Sequence, residues 1–408
     1  MNVLYVSEIF PDQERGVGVW GGGEKQFYEV ARRIARMGHR VSVLTSRFPG
    51  QPAKENCEGM EVIRTGLPRD PATGRQRASP VALGSYLART IQAGVGSRPE
   101  IVHCNGLLAS LAGKGICVPK GVPMVSTVHD VWSFSESLVA MRSPLEALLG
   151  YSIGPLSLGL RPTTIIAVSP QVKSKLLALG LRPQVVRVIP NGVDWEEPPG
   201  PTGGSEGGPV VYVGRLVKSK RVDWLVASFA RVHETVPEAR LLVVGGGPEL
   251  STLRAVALKL GLEGAVDFTG LLPKYSDVSF ALKSSSVFAT ASLVEGEGIS
   301  VKEAMAAGLP IVAAVPPLSG VRSVVSDGEN GYLTKPEDSQ LFAERLTSLL
   351  TDRRARARMG AAARKSMEGH GWDEVARQTL EVYLSARLEA RAAAAHSWMP
   401  SSRDIEGE

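Results

Sequence analysis

One pattern limits this chain to a narrow set of folds: strand and helix signals alternate along it, and the alternation runs twice. Asn2–Ser7 reads as a strand, 24–37 as a helix with apolar residues at helical spacing, and 40–45 as a strand after a turn at Gly38. Further strands are expected at 61–65, 101–104, 123–128, 164–168 and 185–189, with helices between most of them. Nearly continuous apolar strands separated by helices imply a parallel sheet covered on both faces. Local chemistry agrees. Ser169 is a good N-cap, Pro170 suits a first helical position, and Gly180 closes a helix over 171–179.

The interruption is EEPPGPTGGSEGGP, residues 196–209, whose prolines, glycines and acids cannot form a packed element. The alternation then restarts, with strands at 210–213, 240–244, 266–268, 287–290 and 311–314 and helices at 223–233, 249–260 and from 301. The chain therefore divides into a domain over 1–196, a linker over 197–209, a second domain over 210–371, an amphipathic helix over 372–392 and a disordered tail over 393–408. A length of 408 residues suits two such domains, with a cleft between the carboxyl ends of their strands.

Composition removes other classes. No apolar run approaches the roughly 18 residues of a membrane span. The first residues, MNVLYVSEIFPD, read as a strand and not as a signal peptide. Three scattered cysteines without CxxC spacing argue against a disulfide framework or a zinc knuckle and fit a reducing, cytoplasmic compartment. The net charge of +5 selects no partner, and without aromatic interleaving the cations do not describe a nucleic-acid binder. HExxH and DxD motifs are absent from the sequence, so metal-dependent chemistry has no visible support. Gly16–Val–Gly–Val–Trp–Gly21 matches GxGxxG but starts some eight residues after its strand, too late for a dinucleotide fingerprint.

The most informative segment is SLVEGEGISVKEAMAAG, residues 292–308. Glu295 lies in a glycine-rich loop, and the amides of Gly296, Glu297, Gly298 and Ile299 open toward whatever sits at the following helix start, a site for hydroxyls and anions. Glu303 is either a ligand-binding acid in that helix's first turn or the partner of Ser300 in a capping box. Arg215, Lys218, Lys220 and Arg221 follow the strand at 210–213, placed for a phosphate or simply solvated. Gly21, Gly22 and Gly23 open the first helix, where backbone can approach a ligand or merely turn. His129 follows a strand at its carboxyl end, where catalytic residues of open α/β sheets gather; His103, at the equivalent end of another strand, reads more as a loop hydrogen-bond donor.

In order and spacing these features resemble the retaining glycosyltransferases of family 4, whose GT-B fold sets two Rossmann-like domains face to face. The resemblance runs through Ile–Pro–Asn191–Gly192–Val–Asp194, Val–Gly–Arg215, the Glu295–x7–Glu303 motif, Asp327–Gly–Glu–Asn–Gly331–Tyr–Leu and a terminal helix at Trp372, expected to return to the N-terminal domain. It implies a metal-independent hexosyltransferase that uses a UDP-, GDP- or ADP-sugar donor, needs no cofactor, and transfers to a glycan, lipid-linked or small-molecule acceptor. By the same resemblance Glu303 would bind ribose hydroxyls, and Glu295 with the amides at 296–299 would bind the transferred sugar. Arg215 and Lys220 would meet the diphosphate, Gly21–Gly23 would cap it, and His129 would lie beside the anomeric carbon.

Two departures stand out. Glu297 replaces the usual aromatic or small apolar residue and, if its side chain faces the donor, adds a negative charge there; Arg221 replaces the usual glycine and adds charge near the phosphates. Rival readings are a sugar-nucleotide epimerase or phosphorylase on the same fold, or a non-catalytic nucleotide-sugar binder. The leucine-rich segment 143–160 is a candidate for peripheral contact with the inner membrane face, and equally a buried helix with a loop. The sequence sets no oligomeric state.

Overall fold

The computed structural model describes residues 1–11, 21–67, 80–132, 164–194, 207–272 and 274–397. Segment 143–160, most of the GxGxxG match, much of the linker and residues 398–408 lie outside these.

In the first half, β1 (Asn2–Ser7), β2 (Arg40–Ser46), β3 (Lys54–Cys57), β4 (Met60–Thr65), β5 (Ile101–Asn105), β6 (Met124–Val128), β7 (Thr164–Ala167) and β8 (Val186–Val188) form an eight-stranded sheet. Its order is β3-β4-β2-β1-β5-β6-β7-β8, parallel throughout except for the β3–β4 pair. β1 is the centre: Val3 lies opposite Val41 on one side and Ile101 on the other. Helices α1 (Gly22–Arg36), α2 (Pro80–Gly96), α3 (Gly106–Cys117) and α4 (Pro170–Ala178) cross between strands. At α4 the Ser169 hydroxyl accepts from the Val172 amide, with Pro170 at the first helical position.

The second half repeats the plan with β9 (Val210–Val213), β10 (Leu241–Val244), β11 (Val266–Gly270), β12 (Val287–Thr290), β13 (Ile311–Ala314) and β14 (Gly331–Thr334), ordered β11-β10-β9-β12-β13-β14 and all parallel. Helices α5 (Val222–Thr235), α6 (Leu250–Lys259), α7 (Tyr275–Lys283), α8 (Ile299–Ala306), α9 (Ser339–Thr351) and α10 (Arg353–Lys365) cover it. In both sheets the strand order reverses beside the first strand, between β1 and β5 and between β9 and β12. Ligands of open α/β sheets bind outside the carboxyl ends at that reversal.

The last helix, α11 (Trp372–Ser397), returns to the first sheet. Trp372, Val375, Ala376, Val382, Tyr383 and Ala386 join the core that holds Tyr5, Phe27 and Ile34. The Tyr383 hydroxyl meets the Tyr5 hydroxyl at 2.7 Å and His103 Nδ1 at 2.6 Å. Burying Trp372 removes about 150–250 Å² from water, worth about 4–6 kcal/mol before entropy is charged. Gly192 makes room for it: a Cβ there would sit 2.5 Å from the indole ring.

Two expectations change. The helix runs to Ser397, so the expected tail at 393–408 begins inside a helix. His103 is not a loop donor. It is wholly buried within β5, with Nε2 2.8 Å from the Thr127 hydroxyl, and burial, aided by the neighbouring His129, lowers its pKa to about 3.

Candidate active site

The segments that leave the carboxyl ends at the two reversals meet each other. After β12 the chain runs through a loop to Gly298, which at φ +89° is the N-cap of α8. Among the described residues, none of the amides of Gly296, Glu297, Gly298 and Ile299 donates to an acceptor. Buried amides are almost always paired, so consecutive free ones beside a cleft mark a place for a ligand's oxygens.

The opposite wall closes tightly on this loop. A Cβ on Gly296 would lie 1.6 Å from the His129 carbonyl oxygen. The Ser169 hydroxyl donates to the Gly296 carbonyl at 2.6 Å. Helix α1 begins here as well: a Cβ on Gly22 would sit 3.0 Å from Ile299 Cδ1, and one on Gly23 2.9 Å from the His129 ring. Gly21 gives its amide to Glu24 Oε2 at 3.0 Å. Gly21–Gly23, His129 and the 296–299 loop are therefore one assembly.

His129 Nε2 lies 2.9 Å from Asn105 Oδ1. With Asn105 Nδ2 donating to the Ser7 hydroxyl at 3.1 Å, Oδ1 is the acceptor and His129 Nε2 carries the proton. The next residue, Asp130, pairs with Lys175 at 3.1 Å. Asn105 closes β5 one residue beyond the expected strand.

Three acids behave differently from one another. Glu295 is ion-paired with Lys220, which also reaches the Val294 carbonyl at 3.5 Å. Glu303 is no capping residue, because α8 starts at Ile299 under Gly298 and leaves Glu303 in the second turn. Its carboxylate receives Lys25 Nζ of α1 at 2.7 Å, with only 8% of the side chain exposed. Lys25 also pairs with Asp194 at 3.2 Å and lies 3.6 Å from the Tyr275 ring centre. Burial alone would lower the Lys25 pKa; Glu303, Tyr275 and Asp194 outweigh it and raise it. Glu297 does not present its carboxylate to the loop's open amides. Oε2 accepts from the Asn191 amide at 2.7 Å and side chain at 2.6 Å, and Oε1 from Lys302 at 3.0 Å. Burial raises the Glu297 pKa, opposed in part by Lys302 and Asn191.

Among the cations, Arg215 is exposed: its carbonyl accepts from the Tyr212 hydroxyl at 3.2 Å, and its guanidinium makes no hydrogen bond or ion pair with the described residues. Arg221 is committed elsewhere. At φ +49° it caps α5, and its guanidinium donates to the Pro336 carbonyl at 2.9 Å and lies 5.0 Å from the Trp224 ring. No group of three or more His, Cys, Asp and Glu able to hold a metal occurs among the described residues, and no helix among them is long and apolar enough to cross a membrane.

Sequence reasoning missed Lys25, Asp194, Asn105 and Ser169. Lys25 had a readable signal: a cation near the start of a helix opposes the dipole and needs a local reason. The others depend on which strand ends become neighbours.

Two reversed sheets with facing carboxyl ends, tied by a returning terminal helix, are the GT-B architecture. Two family models match in tandem, Glycosyltransferase Family 4 over residues 20–197 and Glycosyl transferases group 1 over residues 204–366. The chain belongs to the group 1, family 4 glycosyltransferases. It is 28% identical over 402 residues to a D-inositol 3-phosphate glycosyltransferase of Xylanimonas cellulosilytica, covering 92% of this chain and 94% of that protein. It is 27% identical over 413 residues to a glycogen synthase of Mycobacterium tuberculosis, covering 96% of each. Its fold matches sucrose-phosphate synthase of Thermosynechococcus elongatus with a TM-score of 0.79 at 20% identity, covering 94% of this chain and 99% of the other. The glycosyltransferase WaaG matches at 0.73 and 17%, covering 94% and 99%.

Proposed function

We propose that this glycosyltransferase moves a hexose from a nucleoside-diphosphate sugar to an acceptor hydroxyl, with retention and without a metal ion. The observation that carries the reading is the run of open amides at 296–299, bounded by Glu295 and Glu303. Glu303 takes the ribose hydroxyls at one end, in exchange for part of its contact with Lys25. Glu295 and the amides take the hydroxyls of the transferred sugar.

Arg215 and Lys220 stabilise the diphosphate as it leaves. Cations and helix N-termini already in place at a developing negative charge are the largest catalytic lever such a site has. The anomeric carbon–oxygen bond to phosphate breaks, the acceptor oxygen bonds on the same face, and the acceptor proton passes to the departing phosphate oxygen. His129, with its Nε2 proton held by Asn105, orients the sugar beside that carbon. Family membership supports retention; an epimerase or phosphorylase would not need acceptor-dependent release of nucleoside diphosphate.

The test is a panel of UDP-glucose, GDP-mannose and ADP-glucose, each with an inositol phosphate and an α-glucan as acceptors, read by nucleoside diphosphate release with and without EDTA. Chelator-resistant, acceptor-dependent release that Glu303→Ala and Lys220→Ala reduce a hundredfold is expected. Wild-type turnover in both variants would refute the assignment.

A further inference from the structure

Glu297 is the only side chain in the tripeptide Gly296–Glu297–Gly298, so, besides the Ser169 hydroxyl on the Gly296 carbonyl, it is the handle by which the open-amide loop can be held from outside. That handle is used. Glu297 is 3% exposed, Lys302 0% and Asn191 4%. One Glu297 oxygen takes both donors of Asn191, the other takes Lys302, and Lys302 also donates to the Asn191 carbonyl. The backbone of Asn191 is thereby gripped on its N–H by the loop and on its C=O by helix α8.

Asn191 lies where the chain leaves the first sheet. Two residues on, the Val193 amide donates to the His370 carbonyl at 2.9 Å, which sets the outgoing and returning connections side by side. The clamp therefore joins the donor loop to the crossover of the two halves. A buried ion pair is costly and is often no more stabilising than apolar side chains of the same size, so stability alone does not explain this one.

We propose that Glu297 and Lys302 are positioning residues for transfer, a buried pair that locks the loop at 296–299 to Asn191 and so fixes the amides that receive the donor sugar. This rests on the donor-site reading above. It makes the acidic departure at Glu297 a structural anchor and not a contact to the sugar.

The test uses the full chain and whichever donor of the panel the wild type turns over fastest. The variants are Glu297→Gln, Lys302→Met, the double Glu297→Gln/Lys302→Met, and Asn191→Ala, with melting temperature, donor KM and kcat measured for each. Either charge-removing single strands the opposite charge, so a tenfold or larger rise in donor KM with kcat within threefold is expected. The double strands none and keeps an acceptor for Asn191, so its KM returns to within threefold of wild type. Asn191→Ala leaves the ion pair intact and safeguards the test if the singles fold poorly; a three- to tenfold rise in KM is expected.

Donor KM within threefold of wild type in the singles or in Asn191→Ala, whatever the melting temperature does, overturns the proposal. So does a double variant as impaired as the singles. Glu303→Ala separates the two failures. If it loses turnover while the Glu297 variants keep wild-type KM, only the positioning inference falls; if it too is unaffected, the donor-site reading falls with it.

Discussion

Replacing Gly296 with alanine would test the assembled site at its tightest point. The new Cβ would meet the His129 carbonyl oxygen at 1.6 Å and its carbonyl carbon at 2.8 Å. An ordinary carbon–oxygen contact is about 3.3 Å, so roughly 1.7 Å must be found between a loop and a strand end. Neither side has a flexible side chain to give way. Forced overpacking of this kind costs about 1–3 kcal/mol, a fall in melting temperature of about 1–4 °C for a chain this size. The functional loss should exceed the thermal one, because a displacement of about 1 Å at reacting groups costs roughly a hundredfold in rate. Gly264→Ala is the control, since nothing lies within 4 Å of a Cβ there and its change should stay within about 0.5 kcal/mol. Nucleoside diphosphate release and thermal melting on both variants give the answer. If Gly296→Ala keeps wild-type turnover, the loop does not touch His129 in the working enzyme and the site has been assembled wrongly.

The pair between Lys25 and Glu303 joins the two sheets' halves at low exposure, so a Lys25→Met, Glu303→Gln double-mutant cycle in chemical denaturation should give a coupling of about 1–2 kcal/mol. The Lys25 pKa is raised, so that coupling is present in full below the unfolded lysine value near 10 and is lost only above it; a cycle near zero at pH 7 would remove the contact. Arg215 is exposed and unpaired with described residues, so Arg215→Ala should lower kcat about a hundredfold while the melting temperature stays within 2 °C or so, and a parallel loss of stability would contradict its role. His103 stays neutral in the fold down to about pH 3, whereas the unfolded chain takes its proton near 6.5. Between those values the unfolded state binds more protons, so stability falls as pH drops, by about 1.4 kcal/mol per unit from this residue. The advantage of wild type over His103→Gln in urea unfolding should therefore shrink by about 2 kcal/mol from pH 6.5 to pH 5, and a difference independent of pH would show that His103 takes up a proton without unfolding the chain.

The sheets were legible because their strands are apolar on both faces, a signal that survives without tertiary information: Asn2–Ser7, Val210–Val213 and Val287–Thr290 stand as read. The short antiparallel β3, KENC, carries no such signal and was missed; it exists only because β4 offers an edge. At the site, glycines and acids near strand ends could be picked out, but not their partners. Glu303 fits a capping box in sequence, and the choice against it is made by Gly298, whose left-handed backbone starts the helix one residue before Ser300. Glu297 was read for its charge, and its direction depends on Asn191, more than a hundred residues away in the chain. Periodicity reports which face of an element is buried. It carries nothing about which distant backbone a buried carboxylate will meet.

The terminal helix has a consequence for how the protein comes into being. Val375, Tyr383 and Ala386 fill a core whose other members, Val3 through Ile189, leave the ribosome long before them. The half made first must therefore wait, one flank uncovered, until the codons for Trp372 to Ala386 have been translated, while the half made second already has its own interior complete. In a nascent chain the order of maturation is thus reversed relative to the order of synthesis, and a stop codon just before Trp372 injures the half translated ahead of it.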